Sequence, residues 1–263
     1  NLITNFSDLF AKSLKEIPMS DFKGQLGQYK IITTKDNSPT LWSEHFDENC
    51  HSDHGAYSET VYNYIEGCKI LSRPVSSVLE IGFGLGIGLK ATLEHLKPDQ
   101  KRPLHFVSVE LDQELVEWSK KNIQCDNFDF SLLELKNQVY QFESDFLNID
   151  VILGDATETL QQAPLPRFDA IYQDAFSPKK NPDLWSVEWF EMLKDLAAKD
   201  CILSTYSASV SIRKSLLEAG WHPHSHKGFA GKRERTSAHL VGPVDEILEK
   251  RLRASAAQAL RRN

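Results

Sequence analysis

Short apolar runs alternate with amphipathic stretches from residue 76 to residue 219 of the chain. The runs have the length and β-branched content of buried strands, and the stretches between them carry apolar side chains at helical spacing. The predicted strands are VSSVLEIG, LHFVSVEL, DVILG, FDAIYQD and CILSTYS, and the predicted helices cover 86–96, 112–122, 155–162, 182–198 and 209–219. This order predicts an α/β fold with a mostly parallel sheet covered by helices on both faces.

The regions that flank this alternation follow other patterns. Residues 24–43 alternate around an Asp-Asn-Ser-Pro turn and predict a hairpin, and residues 53–70 predict a helix with Tyr64 on its apolar side. The runs 221–226 and 236–242 predict an antiparallel hairpin that closes the sheet at one edge.

These patterns divide the chain into three parts. We predict a small N-terminal lobe over 1–70, a main domain over 71–243 and a polar, basic helical tail over 244–263. The aromatic-rich segment 126–149 interrupts the main alternation, and we predict a mostly helical insert there. Such an insert is either a lid that packs on the core or an element that reads the substrate.

The composition is that of an ordinary globular protein, with 263 residues, 41% hydrophobic and 25% charged. No apolar run reaches the length of a membrane span, and the N-terminus lacks the pattern of a signal peptide, so we predict a cytoplasmic protein. The four cysteines form no CxxC pair, which favours reduced thiols. The net charge of −7 argues against a nucleic-acid binder held by overall charge, although local basic clusters remain available to a polyanion.

A glycine-rich loop, EIGFGLGIG at 80–88, follows the first strand of the alternation. Glycines at a strand-to-helix turn let the backbone approach a ligand closely. A dinucleotide fingerprint requires glycine at its sixth position, where this chain has Ile87 or Leu89. The order acid-x-Gly-x-Gly-x-Gly instead resembles motif I of the class I S-adenosylmethionine-dependent methyltransferases, which implies a Rossmann-like fold and that cofactor.

Carboxyl groups also end the next two strands of the predicted sheet. Glu110 stands where the ribose of such a cofactor offers two hydroxyls, and Asp155 where its adenine amino group lies. Asp112 and Asp155 also fit the simpler role of helix N-caps. Taken together, acids at successive strand ends line one crevice, and the set favours a cofactor site.

The fourth strand ends on Asp174, within the stretch YQDAFSPKKNPDLW. An amine must lose a proton before it attacks a methyl group, and a carboxylate can orient the amine and accept that proton. Phe176 can form a wall for a flat base. Asn181 with the proline after it predicts a helix start, and Trp185 then lies either in the core or at an aromatic edge of the pocket.

This stretch resembles the fourth-strand signature of the MnmC methyltransferase domain, D-G/A-F-[SA]-P-x-K-N-P-x-[ML]-W. The segments HGA at 54–56 with Glu59, EIGFGLG at 80–86 and GFAGKRE at 228–234 are similar to three further segments of that family. The similarity runs from about residue 30 to residue 242. It implies methyl transfer from S-adenosylmethionine to the amino group of 5-aminomethyl-2-thiouridine at the tRNA wobble position, with Asp174 as the catalytic residue.

The resemblance also implies a set of binding residues. The cofactor would be held by Glu59, Glu80, Gly82, Phe83, Gly84, Gly86, Glu110, Leu111, Asp155, Ala156 and Asp174. The substrate tRNA would be held by Phe176, Pro178, Lys179, Lys180, Trp185, Lys232 and Arg233. No metal is implied.

Two departures from the family pattern stand out. The glycine loop continues Leu-Gly-Ile-Gly where the family has Thr-Gly-Leu-Asn, so a side chain near the cofactor is missing at Gly88. The FAD-dependent oxidase domain that follows in the two-domain enzyme has no counterpart in the sequence. We therefore expect a stand-alone methyltransferase whose aminomethyl substrate is supplied by a separate enzyme.

Other functions compete with this hypothesis. An aminopropyltransferase of the spermidine synthase kind shares the glycine loop, the second-strand acid and the pattern of the fourth strand. A cofactor-binding module without catalysis is a second alternative. His222, His224 and His226 would share one strand face, but no acid or cysteine nearby completes a metal site.

Overall fold

The computed structural model describes residues 20–262, so the first nineteen residues of the predicted N-terminal lobe lie outside the described residues. The lobe begins with a four-stranded antiparallel sheet. Its strands are β1 (Phe22–Gly24), β2 (Gly27–Thr33), β3 (Pro39–Ser43) and β4 (Glu48–Asn49). The hairpin predicted over 24–43 is formed by β2 and β3, and buried Tyr29 and Leu41 join this sheet to the main core.

The helix predicted over 53–70 is present in a shorter form. Helix α1 (Ala56–Thr60) continues into a wider π-helical turn at Val61–Ile65. This segment packs on the main sheet, because the Ser204 hydroxyl donates to the Asn63 carbonyl at 2.5 Å. The helix therefore packs on the main domain, and the predicted lobe boundary at residue 70 stays a prediction.

The centre of the protein is a nine-stranded sheet in the order β12-β13-β11-β10-β5-β6-β9-β8-β7. Its strands are β5 (Ser77–Ile81), β6 (Leu104–Glu110), β7 (Glu134–Lys136), β8 (Val139–Glu143), β9 (Leu147–Leu153), β10 (Phe168–Gln173), β11 (Ala197–Thr205), β12 (His222–Lys227) and β13 (Glu234–His239). The five central strands are parallel, and β12 and β13 form an antiparallel hairpin at one edge. Both features confirm the predicted α/β fold.

The prediction of a mostly helical insert at 126–149 is wrong. Its helical content is one short turn at Phe130–Leu132, and β7 and β8 form a hairpin that pairs antiparallel with β9. Asn137 and Gln138 have positive φ angles of 49° and 66°, as a tight two-residue hairpin turn requires. Tyr140 and Phe142 lie two residues apart in β8, as on one face of a strand, and Tyr140 is fully buried.

Helices cover both faces of the sheet. They are α2 (Ile87–Leu96), α3 (Gln113–Asn122), α4 (Ala156–Gln162), α5 (Val187–Leu196), α6 (Val210–Glu218) and α7 (Glu246–Ala254). The side chains of Asp112, Asp155 and Ser186 cap α3, α4 and α5 by accepting from backbone N–H groups. An apolar core lies on each face, with Val78 of β5 in one and Leu79 in the other.

The tail predicted as helical is a helix only in its first half. After α7 the chain runs extended over α5 and α6, where the Val187 N–H donates to the Leu260 carbonyl at 2.9 Å and the Leu260 N–H to the Ser215 hydroxyl at 2.8 Å. These bonds satisfy backbone groups that a helix would otherwise satisfy internally. Over the described range 20–262, helices long and apolar enough to span a membrane are absent.

Candidate active site

A cavity of about 310 Å³ opens at the carboxyl ends of the central parallel strands. The glycine-rich loop after β5 and the ends of β6 and β10 line one side of it, and Tyr29 of β2 and Leu41 of β3 line the other. The chain leaves β5 toward β6 and later returns to pair β10 on its other side, and ligand sites in open α/β sheets lie at such a switch point. The N-terminal sheet therefore completes the site.

The glycine loop is shaped by backbone conformations that favour glycine. Gly82 and Gly84 have φ angles of 94° and 53° and line the cavity. Gly86 lies outside the lining, and a Cβ there would meet the Phe130 and Phe83 rings at 2.7 and 2.9 Å. Gly86 therefore has a packing role, and its predicted cofactor contact stays a prediction.

Glu110, at the end of β6, fastens this loop. Its Oε2 accepts from the Gly84 N–H at 2.8 Å, and its Oε1 accepts from the N–H groups of Leu111 and Asp112 at 2.7 and 2.9 Å. Burial raises the pKa of Glu110 to about 7, although these three N–H donors oppose the shift. The carboxyl group faces the cavity at the position predicted for the ribose.

Glu80 lies against Gly88, the position at which the family pattern has an asparagine. A Cβ at Gly88 would lie 1.7 Å from Glu80 Oε1, so a larger residue there would require the Glu80 side chain to move. The Ser108 hydroxyl donates to Glu80 Oε2 at 2.8 Å. Burial, together with the charges of Asp174 and Glu110, raises the pKa of Glu80 well above its usual range.

Asp155 and Asp112 both cap helices, but only Asp155 also lies where it can contact a cofactor. Asp155 lines the cavity and also caps α4 through the Thr157 N–H at 2.8 Å, so both functions are compatible there. Asp112 is fully buried, and its carboxylate accepts from the Leu26 N–H and the Tyr29 hydroxyl, each at 2.9 Å. Asp112 therefore attaches the N-terminal sheet to the main domain.

Asp174 lies at the end of β10 and faces the cavity. The Tyr64 hydroxyl, from the π-helical turn, donates to its Oδ1 at 2.5 Å. Burial raises the pKa of Asp174 to about 8, the Tyr64 hydrogen bond lowers it and the charge of Glu59 raises it further. A carboxyl group with this pKa gains and loses a proton close to neutral pH, and its ionised form can accept a proton from a substrate.

His51 approaches the other oxygen of the same carboxyl group, with Nε2 3.8 Å from Asp174 Oδ2. Burial and the charge of Lys232 lower the pKa of His51, so the ring is neutral at pH 7. The Thr40 hydroxyl accepts from the His51 backbone N–H and lies 3.2 Å from Nδ1, to which it can donate its own proton. That arrangement assigns the ring proton to Nε2, which faces Asp174.

The backbone after Asp174 is held by buried side chains. Gln173 Nε2 donates to the Leu184 carbonyl at 2.8 Å, and Tyr206 donates to the Ala175 carbonyl at 2.9 Å. Trp185 is fully buried, and its Nε1 donates to the Phe176 carbonyl at 2.8 Å. Trp185 thus lies in the core and supports the loop, rather than lining the cavity as a substrate contact.

Phe176 stacks on Phe46 of the β3–β4 turn, with ring centroids 4.1 Å apart, and both line the cavity. Glu48 of β4 accepts from the Ser177 hydroxyl at 2.8 Å. The N-terminal sheet and the loop after β10 therefore meet over Asp174 and present an aromatic pair there.

The predicted tRNA lysines do not form one exposed patch. Lys232 lines the cavity and forms an ion pair with buried Glu59, whose pKa is lowered by Lys232 and Ser52 in spite of burial. Lys180 pairs with Asp47 at 3.5 Å. Lys179 and Arg233 are exposed and Pro178 is partly buried, and all three lie outside the cavity lining.

Most of the predicted cofactor residues come together in the cavity. Those that line it are Glu59, Glu80, Gly82, Phe83, Gly84, Glu110, Leu111, Asp155, Ala156 and Asp174. Sequence reasoning missed His51, Tyr206 and Phe46, and placed Tyr64 only on the apolar side of a helix. These side chains contact partners that are distant along the chain, so no local sequence pattern identifies them as site residues.

The donors and acceptors of the cavity fit S-adenosylmethionine. Seven carboxyl groups line it, namely Glu48, Glu59, Glu80, Glu110, Asp155, Asp174 and Asp183. Such a lining suits a ligand with a positively charged sulfonium and amino group and with ribose hydroxyls that donate hydrogen bonds. The residues present therefore agree with the predicted cofactor.

The chain matches the family described as S-adenosyl-L-methionine-dependent methyltransferase over residues 116–241. It is 32% identical over 235 residues to the tRNA 5-methylaminomethyl-2-thiouridine biosynthesis bifunctional protein MnmC of Paraburkholderia phymatum. That match covers 81% of this chain and 34% of the relative, so the chain spans about a third of the relative's length.

Solved structures agree with this assignment. The crystal structure of MnmC2 from Aquifex aeolicus superposes with a TM-score of 0.76 at 30% identity, covering 89% of this chain and 79% of that one. Spermidine synthase from Thermotoga maritima superposes with a TM-score of 0.54 at 14% identity, covering 93% and 80%, which shows a shared fold alone. The chain therefore belongs to the MnmC2 family of S-adenosyl-L-methionine-dependent methyltransferases.

Proposed function

We propose that this protein transfers a methyl group from S-adenosylmethionine to the amino nitrogen of 5-aminomethyl-2-thiouridine at the wobble position of tRNA. One observation carries the proposal: a partly buried carboxyl group, Asp174, faces the cofactor cavity with its pKa raised to about 8 and a tyrosine hydroxyl on one oxygen. A carboxylate in this position can orient an amine nucleophile and accept the proton that the amine loses.

The bound cofactor supplies an electrophilic methyl group on a positively charged sulfur. Asp174 orients the substrate amine and accepts the proton that the nitrogen must lose as the new carbon–nitrogen bond forms. Tyr64 donates a hydrogen bond to one carboxyl oxygen of Asp174 and His51 lies near the other, so the orientation of the carboxyl group is set before transfer. Glu110, Asp155 and Glu80 hold the cofactor, and the glycine loop lets it lie close to the backbone.

The cavity also indicates which part of the substrate enters it. Its many carboxyl groups repel phosphate, so the nucleotide backbone must stay outside while the base and its amine enter. Phe46 and Phe176 offer an aromatic surface for the base at the entrance. A tRNA substrate also places the reaction in the cytoplasm, and a separate enzyme would supply the aminomethyl group.

The test is a nucleoside assay by mass spectrometry. The protein and S-adenosylmethionine are incubated with tRNA that carries 5-aminomethyl-2-thiouridine, and the digest is examined for one added methyl group at that nucleoside. Conversion by the wild type and none by Asp174→Asn supports the proposal.

A parallel reaction with decarboxylated S-adenosylmethionine and putrescine tests the aminopropyltransferase alternative. Polyamine product without nucleoside conversion would replace the proposal. Cofactor binding by calorimetry with neither product would favour a module without catalysis.

A further inference from the structure

The β12–β13 hairpin carries a row of basic and imidazole side chains on one face. Residues that pair across an antiparallel ladder share a face, and the pairs here are His226 with Arg235, His224 with Ser237 and His222 with His239. The three histidines predicted to share a strand face therefore do so, together with an arginine and a fourth histidine. His222 is paired with Glu249 of α7 at 2.8 Å, which leaves the others as a separate group.

Arg235 is the unusual member of this row. It is 8% exposed, and its Nε and Nη1 are buried without a hydrogen-bond acceptor among residues 20–262. The Tyr62 ring covers one face of the guanidinium at 5.1 Å. Buried guanidinium donors are normally paired, so Arg235 holds a positive charge that no acceptor among residues 20–262 compensates through these two nitrogens.

The surroundings of Arg235 are positive. Burial lowers the pKa of His226 to about 4, and the charges of Arg235 and Lys69 lower it further. Burial, His224 and Lys69 likewise lower the pKa of His239 to about 4. Both imidazoles are therefore neutral at pH 7, and Arg235 and Lys69 supply the positive charge of this row.

This row begins beside the active-site cavity. Arg235 lies near the start of β13. The next residue, Thr236, pairs with Thr205 at the carboxyl end of β11. Tyr62, beneath Arg235, donates to the Lys227 carbonyl at 2.9 Å, and the next residue, Asn63, lines the cavity. From Arg235 to His239 the row extends about 13 Å at the rise of a β-strand.

We propose that Lys69, His224, His226, Arg235 and His239, here named the β12–β13 shelf, bind backbone phosphates of the RNA whose base enters the cavity. The inference rests on the proposed function, because it assigns a docking surface to the same tRNA substrate. It replaces the predicted patch, in which Lys232 and Lys180 are already paired with Glu59 and Asp47. Phosphate contacts of this kind position RNA without reading its sequence.

The test measures tRNA affinity by fluorescence anisotropy across a series of KCl concentrations. We compare the wild type with Arg235→Gln, Lys69→Gln and Lys69→Glu, and with Lys121→Gln as the matched control. Lys121 is an exposed lysine in the last turn of α3, away from the shelf. Removing one phosphate-binding cation should reduce the slope of log affinity against log salt by about 0.7 to 0.9.

We expect Arg235→Gln to weaken tRNA binding on the order of tenfold, because it removes a positive charge next to the RNA backbone. Lys69→Gln should act in the same direction, Lys69→Glu more strongly, and Lys121→Gln should match the wild type. The KM for tRNA should rise in the shelf variants, while kcat at saturating tRNA and the calorimetric affinity for S-adenosylmethionine stay unchanged. Lys69 is exposed, so its variants carry the test if Arg235→Gln does not fold.

The outcomes separate the two proposals. If the wild type methylates tRNA but the Lys69 and Arg235 variants keep the wild-type slope and KM, the shelf is wrong and the proposed function stands. If the shelf variants lose salt-dependent binding although the wild type methylates no nucleoside, the shelf stands and the proposed function fails. A wild type that does not bind tRNA overturns both.

Discussion

The cavity and the β12–β13 shelf are neighbours of opposite charge. Seven carboxyl groups line the cavity, and burial raises the pKa of Glu80, Glu110 and Asp174 among them. The shelf instead gathers Lys69, Arg235 and imidazoles whose pKa is lowered. A net charge of −7 describes neither region. The difference teaches that the fold separates the charges, because acidic side chains are concentrated in the cavity and cationic side chains lie beside it.

The largest expected effect on activity is that of substituting Asp174 in the cavity. Asp174→Asn keeps the shape of the side chain but removes the proton acceptor, so methyl transfer should fall on the order of 10² to 10⁴-fold. Single-turnover nucleoside assays measure the rate, and calorimetry checks that the cofactor still binds. Near-wild-type turnover in this variant would show that the cavity holds the cofactor without supplying the base.

The next effect concerns cofactor affinity and its dependence on pH. The pKa of Glu110 is raised to about 7, so the group is increasingly protonated below pH 7, whereas a cationic ligand favours the ionised form. Affinity for S-adenosylmethionine should therefore rise from pH 6 to pH 8 in the wild type. Glu110→Gln should weaken binding about 10- to 100-fold and flatten that rise, since it removes charged hydrogen bonds. Calorimetry at several pH values measures both.

A smaller effect is expected from the support of Asp174. The pKa of Asp174 is raised to about 8, so activity should increase as pH rises through that value and the carboxyl group ionises. The Tyr64 hydrogen bond lowers this pKa, so Tyr64→Phe should move the rise in activity to higher pH. Activity at pH 7 should then fall about tenfold for each pH unit by which the profile moves, as pH–rate profiles of the two proteins would measure.

Tyr57→Phe is the matched control for that variant. The Tyr57 hydroxyl donates to Glu94 at 2.7 Å, so its loss should leave the pH profile in place. Coincident profiles for wild type and Tyr64→Phe would mean that the Tyr64 hydroxyl does not set the protonation of Asp174.

The smallest expected effect on tRNA affinity is that of substituting Lys180, a cation that already has an anionic partner. Lys180 already pairs with Asp47, and exposed ion pairs contribute little. Lys180→Gln should change tRNA affinity by no more than about twofold at moderate salt, in contrast to Lys69→Gln. Anisotropy titrations of the two variants side by side measure this difference. A larger loss of tRNA affinity in Lys180→Gln than in Lys69→Gln would indicate that tRNA docks on the loop after β10.

The sequence by itself determined the fold class and much of the cofactor site. The alternation of strands and helices and the closing hairpin are local patterns, and local patterns decide how each segment pairs and packs. Glu80, Glu110, Asp155 and Asp174 were predicted from their place at strand ends, because the carboxyl ends of parallel strands meet at one edge of the sheet. Their catalytic and binding functions stay predictions until the variants above are measured.

Only the tertiary structure decided the rest. The segment 126–149 is a hairpin because it can pair with β9, a partner that no local period reveals. Trp185 lies in the core, where its indole is buried. Lys232 pairs with Glu59, 173 residues earlier, so its ammonium group already has an anionic partner. His51 and Tyr64 reach Asp174 from more than one hundred residues away along the chain. Burial and charge are sums over neighbours in space, and the fold chooses those neighbours.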